Sequence, residues 1–143
     1  MEQKTFKGKE GLKSFLKETA ENARNEKFTK ALDYFYAGDW ENAKNILLYV
    51  LDHPMNKDKL MLKEKNLFDD ILILQQSEQS KNTDWVCHEG MRCLGIDADI
   101  PRAVRLSIGL QNLIRKEKRQ QRTKAEERFI KVAENYLEIN NKS

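Results

Sequence analysis

A short segment, Gly38-Asp39-Trp40-Glu41-Asn42-Ala43, separates two stretches whose apolar residues recur at helical spacing. Glycine adopts at low steric cost the left-handed conformation that ends a helix. Aspartate in the next position is a favourable N-cap, because its side chain can accept a hydrogen bond from a free amide of the first turn. The segment therefore predicts a tight turn between two antiparallel helices, and a fold that is built from helix pairs.

The composition supports an all-α fold. The 143 residues include 6 glycines and 2 prolines, and straight-chain residues, which lose little rotamer freedom in a helix, are abundant. The hydrophobic share of 39% suffices for the core of one domain, while 34% charged residues and a mean hydropathy of −0.79 indicate a strongly solvated surface. We predict a flexible N-terminus over residues 1–9 and a single all-helical domain of about six to seven helices over residues 10–143.

Apolar periodicity, helix caps and helix breakers place the individual helices. The predicted helices cover residues 10–25, 26–37, 40–52, 58–76 and 84–94, and a last helical segment covers residues 101–139. Residues 77–82 are polar and predict a loop. No apolar residue lies between Ile114 and Ala125. The last segment is therefore either one long basic helix or a pair of helices that meet near residues 120–123.

The hairpin over residues 26–54 resembles one tetratricopeptide repeat. The residues at the positions of the repeat pattern are, in order, Ala31, Tyr34, Gly38, Ala43, Leu47, Val50 and Pro54. The turn is similar to the usual Gly-Asp-Tyr-x-x-Ala of that family. A repeat array needs about three stacked units, and no second copy is found. The chain is either a short array with one recognisable repeat or a helical bundle that uses the same hairpin.

The resemblance also implies a binding surface, because the concave face of that family, lined by the first helix of each repeat, binds peptides. The matching residues here are Phe28, Leu32, Phe35 and Tyr36. We therefore expect them to contact a partner protein. The alternative is that they pack in the core, which is the commoner role for a stripe of large apolar side chains.

A second protein-binding surface is predicted near the end of the chain, where Phe129 and Tyr136 belong to an apolar patch. If the last segment is one continuous helix, this patch stands clear of the body and needs a second chain to cover it. We therefore predict a homo-oligomer. If the protein is strictly monomeric, the chain folds back near Gln120.

The strongest charge feature is the run over residues 115–124, which holds six cations and one anion. With two upstream arginines it could form one positive stripe that tracks phosphates. The candidate nucleic-acid-binding residues are Arg102, Arg105, Arg115, Arg119, Arg122 and Lys124. The alternative is a solvated helix face, which is the usual role of a charge run.

Catalysis and metal binding have little support in the sequence. Cys87 and His88 are adjacent and diverge by about 100° on a helix, and with Cys93 and His53 they lack the paired spacing of structural zinc sites. His88 does not share a face with Cys87 and His53 cannot be placed relative to it, so the sequence identifies no base for a cysteine nucleophile. No glycine loop for phosphate is present. We predict no metal site, no cofactor and no enzymatic activity.

Targeting features are equally weak. The N-terminal residues lack the apolar stretch of a secretion signal, and no apolar run is long enough to span a bilayer. We therefore expect a cytoplasmic protein without a membrane partner. The sequence favours a non-enzymatic helical adaptor or regulator that binds another protein. The alternative is a nucleic-acid-binding regulator that uses the basic stripe.

Overall fold

A computed structural model describes the backbone of residues 8–142 and the side chains of residues 18–136. Within this range the chain is all-α, as predicted. Its helices are α1 (Gly8–Tyr36), α2 (Trp40–Asp52), α3 (Leu62–Ser80), α4 (Asp84–Leu94), α5 (Ile100–Lys116) and α6 (Lys124–Lys142), with a short 3-10 helix at Pro54–Asn56. The predicted flexible segment of residues 1–9 lies outside the described residues, except that α1 already begins at Gly8.

The predicted turn joins α1 to α2. Gly38 has a φ of +80°, and the side chain of Asp39 accepts a hydrogen bond from the backbone nitrogen of Asn42 at 3.3 Å. Ala31 and Ala43 are fully buried, so two small residues lie where α1 and α2 pack together. The helical hairpin is present, and its membership of the tetratricopeptide family stays a prediction.

α1 is one helix, whereas the sequence predicted two helices that meet at residues 25 and 26. That prediction is wrong because neither proline nor glycine lies near this point to interrupt the backbone hydrogen bonds. α1 has 29 residues and α2 has 13, so α1 continues past the end of α2. There Arg24 donates hydrogen bonds to the side chain of Asn56 and the carbonyl of Lys59, at 2.9 and 3.0 Å.

α3 begins and ends four residues later than predicted. Lys57 and Asp58 have φ values of 51° and 56°, which a right-handed helix does not allow. The helix starts instead at Leu62, where the carboxylate of Glu64 accepts a hydrogen bond from the backbone nitrogen of Met61 at 2.7 Å. Most of the loop predicted over residues 77–82 is helical, because α3 ends only at Ser80.

The last segment is a pair of helices and not one long basic helix. α5 ends at Lys116, and a corner over residues 117–123 leads to α6. Thr123 and Glu126 form a capping box: the amide of Glu126 donates to Thr123 Oγ1 at 3.2 Å, and the amide of Thr123 donates to Glu126 Oε1 at 2.7 Å. α6 then packs on α4 and α5, so the chain folds back on itself.

The six helices enclose one core. Its largest fully buried apolar side chains are Phe35, Phe129, Leu47, Leu67, Ile71, Leu74, Leu106, Leu110, Leu113 and Ile130. Gly90 lets α4 and α6 approach closely, because a Cβ atom there would lie 2.1 Å from Cζ of Phe129. The core therefore uses α6 as an integral element.

Candidate functional site

The face of α1 that the sequence predicted as a binding surface is turned toward the body of the protein. Phe35 is fully buried, and Phe28 and Leu32 are half-buried against the core. Tyr36 is 43% exposed and packs edge-to-face on Phe35, with 5.6 Å between the ring centroids. The expected surface over these four residues is therefore reduced to Tyr36, because the other three pack within the chain.

Of the two residues predicted to form a binding surface on the last segment, only one is exposed. Phe129 is fully buried under α4, whereas Tyr136 is 38% exposed. The predicted dimer depended on a continuous helix that holds Phe129 away from the body, and the fold-back removes that condition. The homo-oligomer stays a prediction, but the exposed terminal patch no longer supports it.

The predicted basic stripe is interrupted by buried ion pairs. Arg102 and Arg105 donate from Nε to the two carboxylate oxygens of Asp70, at 2.6 and 3.2 Å. Asp70 is fully buried; burial raises the pKa of its carboxyl group, and the two guanidinium groups oppose this shift. These two arginines therefore join α5 to α3 and do not belong to a free cationic face.

Arg119 is also paired with a buried carboxylate, that of Glu126. Its guanidinium donates to both oxygens of Glu126, which is fully buried and also accepts hydrogen bonds from Thr83 and Thr123. Burial alone would raise the pKa of Glu126, but these hydrogen bonds lower it from its ordinary 4.5 to about 2. Of the predicted stripe, Arg115, Arg122 and Lys124 stay exposed around the corner between α5 and α6.

The two thiols are core residues. Cys87 and Cys93 are free and buried, and burial raises the pKa of Cys87 to about 11 and also raises that of Cys93. A thiol acts as a nucleophile or metal ligand only as the thiolate, which these values disfavour. Among the described side chains, no group of three or more His, Cys, Asp or Glu residues is placed to hold a metal ion.

A groove runs along the outer seam between α1 and α2, and we call it the seam groove. It consists of two adjoining concavities of about 420 and 290 Å³. Its lining includes Ala20, Ala23, Lys27 and Lys30 from α1, Ile46, Tyr49 and Val50 from α2, and Met55 from the 3-10 helix, together with polar side chains such as Asn42, Asn45 and His53. Sequence reasoning did not identify this surface.

Tyr49 and Met55 are large exposed apolar residues of the seam groove, each with 59% of its surface accessible. Lys27 and Tyr49 line both concavities, and Nζ of Lys27 lies 4.5 Å from the centroid of the Tyr49 ring. This is a cation–π distance. The Lys27–Tyr49 pair thus forms the divide between the two halves of the groove.

A sequence signal for this groove exists in α2, where residues 46–51 form an unbroken apolar run. A helix buries one stripe of its surface, so such a run leaves apolar residues outside the core. Leu47 and Val50 are buried, and Tyr49 is left on the outer face. The position of Met55 carried no sequence signal, because it depends on hydrogen bonds that fix the end of α2, such as that from Asn56 Nδ2 to the carbonyl of Val50 at 2.7 Å.

The charge of the seam groove is positive. Arg24, Lys27 and Lys30 line it, and no carboxylate lines it among the side chains of residues 18–136. Arg24 donates hydrogen bonds from Nε and Nη2 to the carboxylate of Glu64. Burial alone would raise the pKa of this carboxyl group, but the hydrogen bonds from Arg24 and from the amide of Met61 lower it. Because Glu64 compensates Arg24, the accessible charge belongs to Lys27 and Lys30.

No protein-family model, no curated protein and no solved structure matches this chain. Of the helices in the part of the chain that the structure describes, none has the length and apolar content to cross a membrane.

Proposed function

We propose that this protein is a non-enzymatic helical adaptor or regulator that binds another protein through the seam groove. The observation that carries the proposal is the exposure of Tyr49 and Met55 on a concave, mostly apolar surface. When a partner covers this apolar surface, each Å² removed from water contributes about 25 cal/mol of favourable free energy. Exposed aromatic side chains beside a pocket are typical anchors of protein interfaces.

The state of the chemically reactive groups favours binding over catalysis. The buried carboxylates of Glu64, Asp70 and Glu126 are each bonded to arginine, and the thiol of Cys87 has a raised pKa. These groups are engaged within the fold, and neither a carboxylate nor a thiol lines the seam groove among the described residues. The groove offers shape, apolar area and positive charge, which are properties of a binding surface.

An affinity purification from the native host tests the proposal, with the wild-type chain and two single variants as bait. Tyr49→Ser removes the aromatic ring from the groove, and Tyr136→Ser is a matched control on α6, where the tyrosine is also exposed. We expect a protein that is recovered with the wild type and with Tyr136→Ser and is lost with Tyr49→Ser, with or without nuclease treatment. Equal recovery by all three baits would contradict binding at the groove.

The alternative, a nucleic-acid-binding regulator, rests on a smaller set of cations than the sequence predicted. Arg122, Lys124 and Arg128 line an open concavity of about 530 Å³ at the corner between α5 and α6. Phosphate contacts weaken steeply as salt concentration rises, because counterions are released on binding. Binding that falls steeply with salt and is lost in Arg122→Glu, while Tyr49→Ser binds normally, would favour this alternative.

A further inference from the structure

We infer that the seam groove accepts an acidic amphipathic helix of the partner protein. This inference rests on the proposed function, since it names the kind of segment that the groove binds. Three properties of the groove carry it: the helical nature of its walls, the distribution of its apolar residues and the sign of its charge.

The walls of the groove favour a helical occupant. Both walls are α-helices, whose backbone amides and carbonyls are bonded within each helix. A bound strand would gain no main-chain hydrogen bonds there, as it would at the edge of a sheet. A bound helix satisfies its own backbone groups. From Ala20 to Tyr34 α1 rises by about 21 Å, which matches about four turns of a bound helix.

The apolar surface of the groove suits one face of such a helix. Ala20 and Ala23 are small and allow another helix to approach α1 closely. Tyr49 and Met55 rise beside them and are exposed. A helix with apolar residues three and four positions apart would place them between these side chains, as in other helix-in-groove complexes.

The positive charge of the groove favours a partner helix that carries acidic residues beside its apolar face. Lys27 and Lys30 are three residues apart and therefore share a face of α1. Carboxylates on the polar flank of a bound helix would meet both ammonium groups. At the opposite end Glu21 lines the neighbouring concavity beyond Arg24. The two lysines of the lining thus lie away from Glu21, and the acidic residues of the partner belong at the end near Lys30.

Three fluorescent peptides of about 16 residues test this inference. They share leucines at helical spacing, and their flanking positions are all glutamate, all glutamine or all lysine. Fluorescence anisotropy at about 0.15 M salt, where the Debye length is about 8 Å, gives their affinities for the wild-type protein, the double variant Lys27→Glu/Lys30→Glu, Tyr49→Ser, and Lys131→Glu as a control for an exposed cation on α6. Circular dichroism of each variant confirms that it is folded.

We expect the glutamate peptide to bind about tenfold more tightly than the glutamine peptide, from two or more exposed charge pairs. The double charge reversal should remove this advantage and reverse the order of the glutamate and lysine peptides. Lys131→Glu should leave all three affinities unchanged within about twofold, since screened charges outside the groove contribute little.

The outcomes separate this inference from the proposed function. Equal binding of all three peptides that is lost in Tyr49→Ser would overturn the acidic helix and leave the groove as a binding site. Binding that is absent, or is unchanged by Tyr49→Ser, would overturn both. A wild-type dimer that dissociates in Tyr49→Ser would show that a second copy occupies the groove, and would also overturn the acidic partner.

Discussion

Two nitrogens of the Arg119 guanidinium donate hydrogen bonds to the two oxygens of the Glu126 carboxylate, at 2.9 and 2.6 Å. Glu126 is fully buried and occupies the third position of α6 in its capping box, where its carboxylate also accepts from Thr83, the N-cap of α4. One carboxylate therefore joins the corner after α5 to the first turns of α4 and α6. The basic run over residues 115–124 therefore contains the corner at which the chain turns back, so that α6 packs on α4 and α5.

Arg119→Ala should destabilise the protein by about 2 kcal/mol, because it leaves part of a buried carboxylate without its charged donor. The guanidinium is itself 30% exposed, which keeps the loss below that of a fully buried pair. Arg122→Ala is the matched control, since its pair with Glu127 is exposed on both sides and should contribute less than about 1 kcal/mol. Urea unfolding of the three proteins gives both differences, and equal losses would contradict the structural role of Arg119.

The same carboxylate predicts a pH dependence. Its pKa is about 2 in the folded protein and 4.5 ordinarily, so the folded state holds the proton less tightly than the unfolded state. The stability from Glu126 is therefore fully present above pH 4.5 and is lost as the pH falls toward 2. We expect Glu126→Gln to be less stable than the wild type at pH 7, and the difference to narrow between pH 4.5 and 2. A difference that stays constant across this range would show that the carboxylate is not selectively stabilised by the fold.

Gly90→Ala should destabilise the protein by about 1–3 kcal/mol through overpacking. The added Cβ would lie 2.1 Å from Cζ of Phe129, so the aromatic ring and α6 must move. Gly95→Ala is the control, because its Cβ would meet only the carbonyl oxygen of Met91 at an ordinary 3.5 Å. Thermal denaturation should therefore separate the two alanine variants clearly. Phe129→Leu in the Gly90→Ala background should recover part of the loss, which a double-mutant cycle measures.

Deletion of residues 125–143 tests whether α6 belongs to the core. Phe129 and Ile130 are fully buried, so their removal exposes the surfaces of α4 and α5 on which α6 packs. We expect this truncation to lose cooperative unfolding by circular dichroism. A truncated protein that unfolds as cooperatively as the full chain would instead support a detachable terminal helix, as in the predicted dimer.

The local signals in the sequence located several helix ends correctly. Gly38 and Asp39 mark the turn between α1 and α2, and α4 spans residues 84–94 as predicted, with the amide of Gly95 bonded to the carbonyl of Met91 at 3.0 Å. These ends depend on contacts between near neighbours in the chain, which a sequence displays directly. The capping box of Thr123 and Glu126 was also readable from the pattern T-x-x-E, and it would have selected the helix pair over the continuous helix.

The missed features depend on contacts between distant parts of the chain. The pairing of Arg24 with Glu64 spans 40 residues, and that of Arg102 with Asp70 spans 32. Charge patterns alone did not reveal that these arginines neutralise buried carboxylates. For the same reason, periodicity identified an apolar stripe on α1 but not which of its faces the rest of the protein would cover. The seam groove lies on a neighbouring face of α1.

Site-specific photo-crosslinking tests the seam groove most directly as the protein-binding surface. A benzophenone amino acid replaces Tyr49 in one protein and Tyr136 in another, and both are irradiated in extract of the native host. We predict that position 49 forms a discrete crosslinked product with another protein and that position 136 does not, because only Tyr49 lies in the groove. A product from position 136 with none from position 49 would contradict the assignment of this groove as the binding surface.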